Sequence, residues 1–176
     1  MPDGDGLPTP ARYYAMAVVI LGIAMSVLDG TIVNLALPKI TRDLHASAAQ
    51  AIWVINAYQI AILAFLLPCA ALGDLVGYRR VYLSGLSLFT LASLGCAFAP
   101  SLPVLAATRA IQGLGAAGIM SVNAALVRLI YPREQLGRGV AINSMAVAAS
   151  SVAGPSFAAG ILSIASWPFA TMPRCS

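Results

Sequence analysis

Charged residues are scarce in this sequence: they make up only 9% of its 176 residues, while hydrophobic residues make up 60%. Soluble domains carry roughly a quarter charged residues, because their folded surface must be covered with polar groups. A chain with so few charges could not cover itself in water. The composition therefore argues against a soluble enzyme, a nucleic-acid-binding protein and a disordered protein.

Groups that bind metals or perform catalysis are equally sparse. The one histidine, His45, falls in a predicted loop, and the three cysteines, Cys69, Cys96 and Cys175, have no metal-type spacing. Two of the cysteines lie inside apolar runs and are interpreted as small apolar residues. The sequence shows no cluster of nucleophile, base or metal ligands. We therefore expect no enzyme activity, no metal site and no cofactor.

Long apolar runs dominate the sequence. Each is close to or above the roughly 20 residues that a helix needs to cross a bilayer, and the runs are too long for strands. The sequence predicts an all-α membrane protein with about five transmembrane helices. The predicted parts are a cytoplasmic tail at 1–12, a helix bundle at 13–166 with spans near 14–37, 51–72, 81–99, 102–126 and 140–165, and a short tail at 167–176.

Polar residues and prolines at the ends of these runs predict helix boundaries. Pro38 is expected to end the first helix. Ser47 and Gln50 form a capping box ahead of the second helix, and Ser101 is the expected N-cap of the fourth.

The distribution of basic residues predicts the orientation. With the N-terminus in the cytoplasm, six arginines lie inside and three basic residues lie outside, as the positive-inside rule requires. Residues 1–10 contain no basic residue, so the first run is interpreted as a retained helix rather than a signal peptide. We expect a multi-pass protein of the cell membrane with a cytoplasmic N-terminus and the lipid bilayer as its surroundings.

Two charged residues, Asp29 and Arg109, fall inside apolar runs. A charge at membrane depth costs several kcal/mol unless it is paired or hydrated. At 1.5 Å per residue, Asp29 lies in the outer half of the first helix and Arg109 about 10 Å from the outer end of the fourth, so both could face one cavity. They form either a fixed ion pair that orders the bundle or a proton-responsive pair coupled to conformational change.

Three segments carry a resemblance to a known family. They are LDGTIVNLALP at 28–38, LGDLVGYRR at 72–80 and RAIQGLGAA at 109–117. In this order they resemble the first-helix, second-loop and fourth-helix motifs of the major facilitator superfamily, in particular its fourteen-helix drug:proton antiporters. Trp53 and Tyr58 also match the second-helix pattern of that group. The resemblance implies an incomplete N-terminal half of a major facilitator fold.

The resemblance also implies residue roles. Asp29 and Arg109 would couple transport to protons or cations, and Gln112 and Gly113 complete the fourth-helix motif. The loop motif would form an inner gate, although Ala70 replaces its usual first glycine. The gate residues are Gly73, Asp74, Gly77, Arg79 and Arg80. The arginines alone could equally be a topology anchor, because short inside loops are basic in most membrane proteins.

The fifth span contains a partial match to an antiporter motif that ends G-P-x-x-G-G. Gly154 and Pro155 match, while Ala158 and Ala159 replace the two later glycines. The match favours antiport, and an ordinary proline kink explains it equally well. Residues 113–118 also fit a dinucleotide-binding G-x-G-x-x-G pattern, but no strand precedes them. We interpret those glycines as helix-packing residues.

Five helices are fewer than the six of one half of such a transporter, whose path lies between two halves. Residues 168–176 contain no span and no likeness to the family, so the sequence is interpreted as a fragment, broken near Trp167. The expected function is proton-coupled efflux of drug-like small molecules by alternating access in the full-length parent. The alternative is a short, non-transporting membrane protein that acts as a subunit or partner of another membrane protein through helix–helix association. No nucleic-acid partner is expected.

Overall fold

The computed structural model describes residue 6, residues 8–43 and residues 48–164, with side chains described at 6, 8, 10–34, 50 and 52–156. The long helices in these residues are α1 (Thr9–Asp43), α2 (Ala48–Val76), α3 (Tyr78–Ala97), α4 (Leu102–Ile130) and α5 (Leu136–Ile164). A single 3₁₀ turn, Arg133–Gln135, precedes α5. No strand occurs in the described ranges, so the predicted all-α fold is confirmed.

The outer surface of the bundle is apolar, as a lipid-facing surface must be. Leu67, Leu75 and Phe98 are 78%, 82% and 83% exposed. Within the described residues, four helices are long and apolar enough to cross a membrane: Pro10–Asn34, Ile52–Val76, Tyr78–Ala97 and Leu102–Ile130. In α5, the fifth predicted span, side chains are described only as far as Ser156.

The helices are longer than the apolar runs that predict them. The expectation that Pro38 ends the first helix is wrong, because α1 continues to Asp43. A proline removes one backbone hydrogen bond, and membrane helices tolerate this loss where neighbouring groups compensate for it. Ser101 occupies the predicted cap position of α4 with an extended backbone, but its side chain makes no capping hydrogen bond. His45 and the predicted capping residue Ser47 lie outside the described residues.

Helix α4 is the centre of the bundle and packs most extensively against α2 and α3. Its glycines permit this packing. A Cβ atom on Gly115 would lie 2.6 Å from the backbone nitrogen of Phe89 and 2.8 Å from the backbone oxygen of Gly85. Gly113 packs in the same way against the backbone of Tyr58 on α2. The interpretation of the G-x-G-x-x-G segment as a packing surface is therefore confirmed.

Helix α1 packs more extensively against α5 than against any other helix, and it meets α3 through a polar contact. The Tyr82 hydroxyl on α3 donates a hydrogen bond to the Val18 carbonyl oxygen at 2.8 Å. At one end of the bundle, Arg12 Nη1 donates to Gln135 Oε1 at 3.0 Å, and its guanidinium lies 5.7 Å from the centre of the Tyr131 ring. The start of α1 and the α4–α5 connection, both predicted to be inside, thus lie at the same end.

The close approach of α3 and α4 at Gly115 predicts a steep cost for any side chain there. Gly115→Ala places a methyl group against backbone atoms that cannot yield without separating the helices, so we expect a loss of about 1–3 kcal/mol in the free energy of unfolding. Unfolding in mixed micelles with a denaturing detergent measures this loss. Gly137→Ala is the matched control, because a Cβ at this helical position meets nothing within 4 Å. Equal stabilities of the two variants would contradict the packing.

Candidate functional site

The site is built on a buried ion pair between α1 and α4. Arg109 Nη1 donates a hydrogen bond to Asp29 Oδ2 at 2.6 Å. The side chains are 8% and 17% exposed for Arg109 and Asp29, respectively. It is the one ion pair in which the structure describes both side chains. The predicted matching depth of the two charges is therefore confirmed, and neither charge is left uncompensated in the bundle.

Gln112 completes the carboxylate's hydrogen bonds. Its Nε2 donates to Asp29 Oδ1 at 3.0 Å, so each carboxylate oxygen has one donor from α4. Gln112 follows Arg109 by three residues, which places the two side chains on one face of a helix. Gln112 is 0% exposed. This spacing explains physically why the R-x-x-Q segment suits an intramembrane carboxylate.

Helix α3 also reaches the site, and it contacts the end of the Gln112 amide that faces away from Asp29. The Cys96 thiol on α3 lies 3.3 Å from Thr108 Oγ1 and 3.6 Å from Gln112 Oε1. The Thr108 hydroxyl hydrogen is directed to its own helix, toward the carbonyls of Val104 and Leu105. Both oxygens near the thiol are therefore acceptors for its hydrogen.

Tyr58 on α2 adds a buried hydroxyl beside the ion pair. Its side chain is 8% exposed and lies within electrostatic range of both Asp29 and Arg109. Neither the Tyr58 hydroxyl nor Arg109 Nε has a hydrogen-bond partner among the described residues. Buried polar groups are normally satisfied, so these two atoms mark a place where hydrogen bonding can rearrange.

The predicted inner gate lies at the junction of α2 and α3, but it is a shorter loop than expected. Residues 73–80 were predicted to form the loop, whereas α2 continues to Val76 and α3 begins at Tyr78. Only Gly77 lies between the helices, at φ 96 and ψ 133. Glycine alone adopts such angles at low cost, so the turn can be this tight.

The other gate residues have different surroundings. Gly73 is buried on α2, where a Cβ would lie 2.8 Å from the Tyr78 ring and 2.9 Å from Val122 on α4. The exposed Asp74 accepts a hydrogen bond from the Tyr78 hydroxyl. Arg79 and Arg80 are exposed and form no ion pair with Asp74. Tyr78, one helical turn after Asp74, is thus its partner in this structure.

A cleft opens beside Asp74 between α2 and α4. Its volume is about 430 Å³, and its polar lining consists of Asp74, Tyr78, Ser121 and Arg128. The rest of the lining is small or apolar, with three alanines among it.

The partial motif of α5 packs against the helix that carries Asp29. A Cβ on Gly154 would lie 3.0 Å from the Cβ, Cγ2 and Oγ1 atoms of Thr31, which follows Asp29 by two residues. Pro155 lies inside α5, and the helix continues past it. Gly154 thus sets the spacing between α5 and this part of α1.

Sequence reasoning found the ion pair but missed part of its surroundings. Tyr58 was noted only as a motif match, and Cys96 was interpreted as a small apolar residue. Thr108 received no role. The position of Thr108 and Gln112 beside Arg109 on α4 was a sequence signal that they belong to the site. The sequence carries no such signal for Cys96, because its approach depends on how α3 packs. That packing uses Gly95, where a Cβ would lie 3.2 Å from Thr108 Cγ2.

Comparison with known proteins decides the family. The sequence profile of the Major Facilitator Superfamily matches residues 19–172, which include the ion pair, the α2–α3 junction and the α5 motif. The chain belongs to the Major Facilitator Superfamily. This result confirms the resemblance to the superfamily drawn from the three motifs, and it points to a transporter in place of an enzyme. The match extends past Trp167 into the predicted tail, of which the structure describes nothing.

Several relatives have names that refer to transport. The "Uncharacterized transporter YebQ" of Escherichia coli is 60% identical over 165 residues, covering 94% of this chain and 36% of that protein. The "Riboflavin transporter RibZ" of Clostridioides difficile is 31% identical and covers 89% and 34%. The "Multidrug resistance protein Stp" of Mycobacterium tuberculosis is 40% identical and covers 77% and 25%. The chain thus spans about a third or less of the length of these relatives.

The buried ion pair predicts strong coupling between its two residues. Asp29→Asn and Arg109→Gln each leave one charge without compensation, and each should cost about 3–5 kcal/mol in the free energy of unfolding. The double variant should cost less than the sum by about 1–3 kcal/mol. Unfolding of the four proteins in mixed micelles measures the difference. The control combines Asp29→Asn with Glu134→Gln, which changes an exposed acid, and the effects of these two changes should be additive. Additive effects of Asp29→Asn and Arg109→Gln would contradict the interaction between the two residues.

Proposed function

We propose that this chain supplies the proton-coupled part of an exporter of drug-like small molecules. The family is one of membrane transporters, and the relatives include proteins named for multidrug resistance and drug efflux. The observation that carries the proposal is the buried carboxylate of Asp29, held by Arg109 and Gln112 from a neighbouring helix. A membrane protein retains such a group at high cost, which favours a functional role.

The chemistry of the pair suits proton coupling. Protonation removes the charge of Asp29, so the ionic part of its attraction to Arg109 disappears. Arg109 remains charged, because a guanidinium does not lose its proton in proteins. It must then find another acceptor, and the oxygen of the neighbouring Tyr58 hydroxyl is one, because neither that hydroxyl nor the Nε–H donor of Arg109 has a partner among the described residues. Proton binding at Asp29 thereby shifts the balance between two packings of α1 against α4.

We assign the α2–α3 junction to the inner gate. Gly77 makes the connection short, and Asp74 lies beside the cleft between α2 and α4, where a segment from another part of a transporter would bind. Arg79 and Arg80 are exposed at the same junction and add positive charge to the predicted cytoplasmic side. Gly154 belongs to the proposal as the packing contact that transmits movement between α5 and the Asp29 segment of α1, and Pro155 follows it inside α5.

Transport of a substrate belongs to the whole family fold, of which this chain covers about a third in its relatives. The chain's residues should therefore be tested inside a complete transporter. We propose a chimera in which they replace the matched 165 residues of the E. coli relative, expressed in cells that lack other exporters. The intact E. coli relative is first tested with a panel of lipophilic cations, starting with ethidium, to identify the compounds that it exports.

The chimera should export the same cations, and Asp29→Asn should reduce export by at least tenfold, because the proton-binding group is lost. Glu134→Gln, which removes an exposed carboxylate in the same way, should leave export within twofold of the unmodified chimera. Export that survives Asp29→Asn would contradict proton coupling at this residue. If the chimera exports nothing and the chain itself co-purifies with a larger carrier, the results would support the alternative role as a membrane partner.

A further inference from the structure

The hydrogen bonds of Gln112 extend beyond the ion pair to a residue that no motif includes. Its amide has two ends: Nε2 donates to Asp29, and Oε1 faces the Cys96 thiol at 3.6 Å. An ionised carboxylate only accepts hydrogen bonds, so the amide must present its nitrogen to Asp29. The amide oxygen then needs a donor of its own, because Gln112 is fully buried.

Only the thiol supplies that donor among the described side chains. The hydroxyl hydrogen of Thr108 is directed to backbone carbonyls of its own helix, so its oxygen competes with Gln112 for the thiol hydrogen. Gly95 lets α3 approach Thr108 closely and so brings Cys96 within reach of both acceptors. If the Gln112 amide were rotated so that its nitrogen and oxygen changed places, its oxygen would face the Asp29 carboxylate and the two groups would repel each other.

We propose that Cys96 is a positioning residue: its thiol holds the Gln112 amide in the orientation that donates to the Asp29 carboxylate. The series Cys96–Gln112–Asp29 crosses three helices, from α3 through α4 to α1. Hydrogen bonds in series polarise one another, so a charged Asp29 makes Gln112 Oε1 a stronger acceptor for the thiol. The thiol therefore responds to the charge of a carboxylate that it does not touch.

The S–H stretching band tests this directly, because it lies in a region of the infrared spectrum free of other protein bands and moves to lower frequency on hydrogen bonding. The chain is reconstituted in phospholipid vesicles at neutral pH, and the Cys96 band is assigned by its loss in Cys96→Ala. Cys69→Ala is the matched control, because Cys69 lies near the α2–α3 junction and Cys96 at the opposite end of α3.

The expected result is a shift of the Cys96 band to higher frequency in Gln112→Leu and, by a smaller amount, in Asp29→Asn. Asp29→Asn leaves both acceptors of the thiol, Gln112 and Thr108, in place. The frequency of the S–H band would therefore not change if the contact of the thiol were purely structural. Thr108→Val should shift the band to lower frequency, since the thiol hydrogen then belongs to Gln112 alone. A band unchanged in Asp29→Asn would overturn the proposal, as would a band that responds to Thr108→Val but not to Gln112→Leu.

The functional consequence is tested in the E. coli chimera and rests on the proposed function. Cys96→Ala should lower export several-fold, Cys96→Ser should restore most of it because a hydroxyl also donates, and Cys69→Ala should have no effect. Equal export by Cys96→Ala and the unmodified chimera would overturn the positioning role. The two failures are distinguishable: an S–H band that responds to Asp29→Asn, in a chimera whose export does not depend on Asp29, would refute the proton coupling and leave the hydrogen-bond series intact.

Discussion

A charge placed inside a membrane must be compensated, and this constraint organises the bundle around Asp29 and Arg109. The two side chains come from helices α1 and α4, which otherwise make far less contact with each other than α4 makes with α2 and α3. Their bond at 2.6 Å is therefore a main link between α1 and α4. An ion pair that depends on one carboxylate's charge is also a contact that a single proton can weaken.

Small residues make the rest of the bundle compatible with that pair. Gly113 and Gly115 let α4 touch the backbones of α2 and α3, and Gly154 lets α5 lie against Thr31 beside Asp29. Association in lipid depends on packing and interhelical hydrogen bonds, because lipid chains are as apolar as the side chains. Close backbone contact joins α4 to α2 and α3, while α1 packs mainly against α5 and joins α3 and α4 through polar contacts from Tyr82, Arg109 and Gln112. That division suits a helix that moves.

The sequence predicted the features that follow from composition and linear spacing. The lengths of the apolar runs predicted the helices, and the helical rise per residue predicted that Asp29 and Arg109 lie at a similar depth. Because no strand precedes Gly113, the glycines that begin there were interpreted as a packing surface. It could not predict details set by packing between distant segments: that Gly77 is the whole α2–α3 connection, that Tyr78 binds Asp74, or that Cys96 lies against Gln112. The roles assigned to Asp29, Asp74 and Gly154 remain predictions that measurements on the protein must decide.

Titration of the Asp29 carboxyl group in a bilayer tests the central claim most directly. Infrared difference spectra of the reconstituted chain, recorded between neutral and acidic pH, should contain a protonated-carboxyl band that is absent from Asp29→Asn and retained in Glu134→Gln. Amide bands should change with it, because α1 repacks against α4 when the charge is lost. A carboxyl band that titrates with no amide change, or spectra identical for the unmodified chain and Asp29→Asn, would show that the pair is a fixed structural contact and would contradict proton coupling.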